Sequence, residues 1–384
     1  MVRVANNIVR QAIAARSSDI HIEPTEDRSR VRYRVDGVLL ETTPLPLSHH
    51  GSVMRRLKVM ASLDIAERRI PQDGQIQITS GGRRYDLRVN TLPTVNGERV
   101  AMRILDRSAG VRAVQEIGMA ADTQEVYEHL ITRPNGIVLI TGPTGSGKST
   151  TLMAALSTVN SADKHIMTIE DPVEYRIPGI TQVQVNNKAG LTFASGLRSF
   201  LRQDPDIIMV GEIRDGETAD IAVRAALTGH LVFSTVHTNQ AAATVGRLID
   251  MGVEPFLLAS SLLGFVAQRL MRRLCHRCRQ PYIVPDDDRV RYLPGMPKGP
   301  LTLFRPKGCG FCDQTGYHGR QARFELLTVT GSIRDMIMHE ASATEILNEA
   351  KQQGMRTLWE TGLDEVLKGA TSMEELQRVA FMEA

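Results

Sequence analysis

The chain has 384 residues, 42% of them hydrophobic and 23% charged, the composition of an ordinary globular protein of two or three domains. With 46 basic against 43 acidic residues the net charge is +3, too near balance for a polyanion to be the main partner, and 4% aromatics with the single tryptophan Trp359 argue against a stacking platform for single-stranded nucleic acid. Four cysteines are too few to staple a chain of this size, no 20- to 50-residue repeat is visible, and the most apolar stretch, residues 255–268, is too short to span a bilayer. A cytoplasmic protein without a transmembrane segment is expected.

In chain order, residues 5–17 carry apolar side chains at helical spacing, Ile8, Val9, Ala12 and Ile13. Residues 31–39 and 84–90 alternate apolar and polar like half-buried strands, and residues 53–63 between them read as a second helix. These make a small N-terminal α/β domain, residues 1–106. A softer stretch, 107–122, reads as a linker. Beyond it a helix ends near Thr132, and short apolar runs at 137–140, 166–169, 207–210 and 231–234 alternate with helical segments. That is the pattern of a parallel sheet buried on both faces, an α/β nucleotide-binding core over 123–274. Residues 275–324, rich in Gly, Pro and Cys, read as a loop-based insertion. Amphipathic helices follow at 333–338, 343–353 and 374–379, within a C-terminal helical region, 325–384.

The segment Gly142-Pro143-Thr144-Gly145-Ser146-Gly147-Lys148-Ser149-Thr150 fits the G-x-x-x-x-G-K-[S/T] phosphate-binding loop, with an apolar strand before it and a plausible helix after it. Glycines let successive backbone N–H groups converge on phosphate oxygens, and the helix N-terminus adds partial positive charge. Lys148 is expected to reach the terminal phosphates and Ser149 to offer a hydroxyl to Mg²⁺. Cys275-His-Arg-Cys278 and Cys309-Gly-Phe-Cys312 form two C-x-x-C pairs, a spacing that suits four thiolates around one structural Zn²⁺. The rival, a redox dithiol, lacks a thioredoxin-like context.

A phosphate loop alone does not separate a kinase from a GTPase or a motor. The segments 168–175, 202–215 and 226–239 resemble the Asp box, Walker B and His box of the secretion ATPases, the cytoplasmic motors of type II secretion and type IV pilus systems, and the resemblance runs from about Ser18 almost to the C-terminus. It implies a RecA-like P-loop core behind a smaller, PAS-like N-terminal α/β domain, turnover of ATP with Mg²⁺, and a homo-oligomer, a hexameric ring. It also implies recruitment to an inner-membrane platform, so that the cytoplasmic protein becomes peripheral to that membrane when docked. The cysteine pairs favour assembly over retraction, because retraction members generally lack them.

Glu212 follows an apolar strand and so projects toward the phosphates, the first choice for positioning water or helping to hold Mg²⁺. Gly211 stands where other P-loop proteins carry an aspartate, so Glu170, Asp171 and Glu174 are candidates to share metal and water duties, in a division left open. By resemblance His237 and His230 sit near the terminal phosphate, and Arg88 and Arg103 point from the N-terminal domain at a neighbour's nucleotide; Arg269 is the analogous arginine within the motor domain. Two other readings of the same core remain: a conjugation-type, DNA-translocating motor, against which balanced charge and sparse aromatics weigh, and a nucleotide-binding scaffold that does not hydrolyse, against which Lys148 and Glu212 weigh.

Overall fold

The computed structural model describes residues 2–106 and 110–380. The chain divides into two units, Met1–Gly110 and Val111–Ala384. In the first, α1 (Val2–Ala14) buries Ala5, Ile8, Val9 and Ala12 along one stripe. Then follow β1 (Ser17–Pro24), β2 (Arg28–Val35), β3 (Val38–Glu41), β4 (Leu45–Pro46), α2 (Leu47–Met60), β5 (Gln72–Ser80), β6 (Arg83–Thr94) and β7 (Gly97–Asp106). The strands pair antiparallel in the order β3-β2-β1-β7-β6-β5, with β4 beside β2. Asp36 and Gly37 both take positive φ, the two-residue turn whose twist matches the β2–β3 hairpin. Ile20, Ile22, Leu87, Val89, Val100 and Met102 pack with Val53 and Leu57 of α2 and the α1 stripe. The alternate residues of these strands are polar, and many are arginine.

The second unit is built on a sheet buried on both faces. Its elements are α3 (Ala121–Ile131), β8 (Gly136–Thr141), α4 (Lys148–Val159), β9 (Ile166–Glu170), β10 (Thr181–Gln184), α5 (Phe193–Phe200), β11 (Ile207–Val210), α6 (Gly216–Leu227), β12 (Leu231–Val236), α7 (Ala243–Asp250), α8 (Pro255–Ser261) and β13 (Leu262–Leu274). After β14 (Gln280–Ile283) and β15 (Thr302–Arg305), a separate two-stranded ribbon, come β16 (Tyr317–Thr328), α9 (Gly331–Met338), α10 (Ala343–Gln352), α11 (Leu358–Leu367) and α12 (Met373–Val379). The main sheet runs β10-β9-β11-β12-β8-β13-β16, parallel except for β16, which is antiparallel to β13. Every residue of β8, β11 and β12 is buried, as parallel strands covered on both faces require. One cover includes α3 and α4; the other includes α5 to α12.

Two expectations are corrected, and two elements are new. The stretch read as a linker begins with residues 107–109, which lie outside the described residues, but Val114 and Ile117 are buried against α3 and α4, so the rest is packed into the second unit. The apolar run 255–268 divides between a helix and a strand: α8 stops at Ser261 and a thirteen-residue strand follows. The insertion does not reach 324, because β16 takes up 317–328 and completes the main sheet, so the helical region does not begin at 325. Helix α11, which buries Trp359, was not anticipated. Among the described residues no helix is long and apolar enough to cross a membrane.

Candidate functional site

Strands β8, β11 and β12 end side by side, and the chain segments leaving their C-terminal ends carry the phosphate loop, Glu212 and His237. The loop passes through Gly142, Gly145 and Gly147, all at positive φ, into α4, whose first residue is Lys148. Two of these glycines are dictated by β13, which runs on past the end of β8. A Cβ on Gly147 would lie 2.7 Å from Gln268 Nε2, and one on Gly142 would lie 2.6 Å from the Gln268 carbonyl and 3.1 Å from Arg269 Nη1. Gln268 also accepts a 2.8 Å hydrogen bond from Thr151 Oγ1 of α4.

Lys148 is buried, with Nζ 2.7 Å from the Gly142 carbonyl and 3.2 Å from that of Pro143. Burial lowers its ammonium to about 8, against the opposing pull of the Glu212 charge. Ser146 Oγ is buried without a hydrogen-bond partner among the described residues, whereas Pro143, Thr144, Gly145, Ser149 and Thr150 are exposed. An orphaned hydroxyl, a lysine and a helix N-terminus converging on one loop fit a phosphate chain.

Glu212 receives Arg214 on one carboxylate oxygen and His237 Nε2 on the other, at 3.1 Å. Burial works to raise its carboxyl, but the Arg214 hydrogen bond and charge, then those of His237, outweigh it and hold Glu212 below the usual carboxylate range. Glu170, at the end of β9, is buried and raised by that burial, against hydrogen bonds from Thr168 Oγ1 (2.7 Å) and Gln182 Nε2 (3.0 Å). Asp171 is exposed in the following loop, where its charge bears on Arg214; Glu174 lies partly buried farther along it. Gly211 is pressed against β9, a Cβ there falling 3.3 Å from the Ile169 carbonyl.

His230 is not brought to this place. It stands just before β12, its carbonyl accepting from Gly136 N–H at the start of β8, about 20 Å along the strands from the loop. Its Nδ1 is 2.8 Å from the Ala225 carbonyl, which ties the ring to the end of α6. Arg269 does reach the loop. Its Nη2 donates to the Asn239 carbonyl at 2.8 Å and to Asn239 Oδ1 at 3.2 Å, and Nη1 donates to the Gln268 carbonyl. Gln268, Asn239, Arg214 and Glu325 were missed by the sequence reading. The signal for Gln268 was its place beside Arg269 on a strand that was taken for part of an apolar run.

In the first unit Arg88 and Arg103 stand directly opposite each other on β6 and β7. Arg103 Nε donates to Asp19 Oδ1 at 3.1 Å, and Arg34 shares the same carboxylate at 3.5 Å. The two arginines thus share one face of the sheet, in one transverse row.

The four cysteines converge, with Sγ atoms all within 4.8 Å of one another and none in a disulfide. Sulfur separations are 3.9 Å for Cys275–Cys309, 3.8 Å for Cys278–Cys312 and 3.7 Å for Cys309–Cys312. A tetrahedron of about 2.3 Å zinc–sulfur bonds has edges of about 3.8 Å. Backbone N–H groups of Cys309 and Gly316 point at Cys312 Sγ, each at 3.2 Å, the outer hydrogen bonds a thiolate attracts. The donor set fits zinc.

The family described as Type II/IV secretion system protein matches residues 1–378. The chain belongs to that family. Type II secretion system protein E of Pseudomonas aeruginosa is 50% identical over 379 residues, 99% of this chain and 75% of that protein. Type IV pilus assembly ATPase PilB of Myxococcus xanthus is 48% identical over 380 residues, 98% of this chain and 67% of that one. Among solved structures, the pilus retraction motor PilT with bound ADP superposes with a TM-score of 0.65 at 26% identity, covering 97% of this chain and 96% of that one. The ATPase DotB of Legionella pneumophila shares the fold, with a TM-score of 0.70 at 23% identity over 97% of this chain and 94% of that one. The expected α/β core of a secretion or pilus ATPase is the one found.

Proposed function

We propose that the chain hydrolyses ATP with Mg²⁺ and that the cycle powers assembly of a pilus or pseudopilus on an inner-membrane platform. The observation that carries this reading is the meeting of buried Lys148, orphaned Ser146 and the Glu212–His237 pair at the ends of three adjacent strands. In this reading residues 142–150 hold the phosphates through backbone N–H groups, and Lys148 bridges the terminal two. Ser149, with Glu212 and the acids of residues 170–174, would hold Mg²⁺, which neutralises charge on the phosphates when bound. Glu212, kept ionised by Arg214 and His237, accepts a proton from the attacking water. Glu170, buried and already accepting from Thr168 and Gln182, serves as a hydrogen-bonding neighbour rather than as the base.

Arg88 and Arg103 supply the remaining positive charge from the first unit of a neighbouring copy, which makes a closed ring, a hexamer, the active species. Structural zinc holds residues 275–316 together. The cysteine pairs, and relatives whose names specify secretion and pilus assembly, support assembly over retraction. The test is ATP hydrolysis by the wild-type protein and by Lys148→Ala, with and without DNA. Turnover that requires Lys148 and ignores DNA is expected; stimulation by DNA would favour a translocating motor, and no turnover a scaffold.

A further inference from the structure

The segment joining β12 to α7 is held at nearly every residue by a different strand. His237 bonds Glu212 beyond β11. Thr238 exchanges hydrogen bonds with Thr141, the last residue of β8: its N–H donates to Thr141 Oγ1 at 3.0 Å, and Thr141 Oγ1 donates to its carbonyl at 2.8 Å. Asn239 receives Arg269 of β13. Ala241 N–H donates to Glu325 Oε1 of β16 at 3.0 Å. The other oxygen, Glu325 Oε2, accepts from Leu358 N–H at 3.2 Å, at the N-terminus of α11.

Glu325 is 3% exposed, an unusual place for a carboxylate, and Arg269, two residues along the paired strand, is 6% exposed. Burial works against the Arg269 charge, and Glu325 is the acid whose charge opposes that penalty. Both line a cavity of about 470 Å³ with Asn239, Gln240, Lys351 and Trp359. A core position that needs only packing is filled by an apolar side chain; a buried acid that gathers two backbone donors and a buried arginine fixes geometry instead.

We propose that Glu325 is a positioning residue for turnover: it anchors the 238–241 segment and, through Arg269 and Asn239, sets His237 and Glu212 against the phosphate loop. Glu325 touches no reacting atom in this assignment. It acts on the register of the loop that does, and it ties that loop to α11. Three residues lie between His237 and Ala241, so the far anchor stands about 13 Å of extended chain from the histidine, and losing it leaves the Thr238 and Asn239 contacts to hold the segment alone. A shift of about 1 Å at the reacting groups is enough to cost roughly 10²-fold in rate.

The inference rests on the ATPase reading, and the experiment separates the two. Glu325→Gln keeps shape and volume but removes the charge and turns one acceptor into a donor. It is compared with wild type and Lys148→Ala for kcat, KM, affinity for a fluorescent ATP analogue, and Tm. A fall in kcat of about tenfold or more, with nucleotide affinity within about threefold of wild type, is expected. In the double variant Glu325→Gln/Arg269→Gln, turnover should lie within about twofold of Arg269→Gln alone, because the two act as one unit. A lowered Tm with kcat unchanged, or multiplicative losses in the double variant, overturns the proposal. Should Glu325→Gln fail to fold, Glu325→Asp carries the same test: the charge stays, the shorter stem cannot reach both amides, and wild-type kcat overturns the assignment. If wild type and Lys148→Ala hydrolyse ATP alike, it is the site reading that fails; if only Glu325→Gln behaves as wild type, it is this one.

Discussion

The two large sheets of this chain present positive charge in opposite ways. The sheet of the first unit is antiparallel, packed on helices along one face, and its open face displays arginine side chains such as Arg34, Arg88 and Arg103. The sheet of the second unit is parallel and covered on both faces, so its charge is delivered at one edge, by backbone N–H groups of a loop and one buried lysine. Side chains on an open face reach solvent and can meet a surface that arrives from outside, even where, as at Asp19, a carboxylate holds two of them. A loop locked between β8 and β13 is fixed before any ligand comes and suits the binding of one shape.

If that contrast is right, the largest effect belongs to the locked site. Lys148→Ala is expected to lower ATP turnover at least about 10³-fold and to weaken nucleotide binding with it, since the terminal phosphates lose their charged partner in a partly desolvated loop. Steady-state hydrolysis and equilibrium binding of ATP check both parts. Arg88→Ala tests the open face. It should leave binding nearly intact and lower turnover by up to about 10³-fold, the scale of a supplied arginine. Mixing sharpens the distinction. Lys148→Ala chains keep their arginines and should restore activity to Arg88→Ala chains, and specific activity should rise with protein concentration; no rescue in mixtures would mean that the arginines do not act between copies.

The contrast also governs what could be read before the structure. Strands β2 and β6 announce themselves by alternation, and β8, β11 and β12 by short apolar runs, because each obeys one simple burial rule. Strand β13 obeys neither. It is apolar while it runs beside β8, then carries Gln268 and Arg269 into the core, where polar side chains serve the loop and not the packing. Strand β16 hides a carboxylate among Phe324, Leu326 and Leu327, and it follows directly on a cysteine-rich turn that reads as loop. The phosphate loop and the cysteines stood out because their chemistry imposes spacing along the chain, and Glu212 because it follows a short apolar strand. His230 was misplaced, and Gln268 and Glu325 were missed, because what matters for them is which end of a strand or which neighbouring strand they meet.

The cysteine cluster would fix a segment in a third way, by metal in place of a sheet. Cys309→Ser is expected to abolish binding of one zinc per chain and to loosen residues 275–316. A structural zinc contributes about 10–16 kcal/mol of apparent binding free energy near neutral pH, and that is largely folding free energy. Metal analysis and hydrogen exchange over this segment check it. The apolar contacts of Leu301, Leu303 and Val284 with the main core should limit the damage, so the rest of the second unit is expected to keep its exchange protection.

The smallest effect expected is one of pH, and it separates the two kinds of positive charge. Arginines keep their proton throughout the accessible range, so the open face is insensitive. Lys148, lowered by burial to about 8 from 10.5, is not. Between those values the unfolded chain holds a proton that the folded chain does not, so raising the pH through this window adds to stability. Nucleotide binding responds in the opposite sense, because phosphate binds to the charged ammonium. From about pH 7 to about pH 9 the affinity for ATP should fall by up to about tenfold, and binding near pH 9 should take up close to one proton. Calorimetry in buffers of different ionisation enthalpy reads that proton directly. An affinity that stays flat across the range, with no uptake, would mean that the lysine is solvated enough to keep its charge, and the account of a locked, partly desolvated loop would fail.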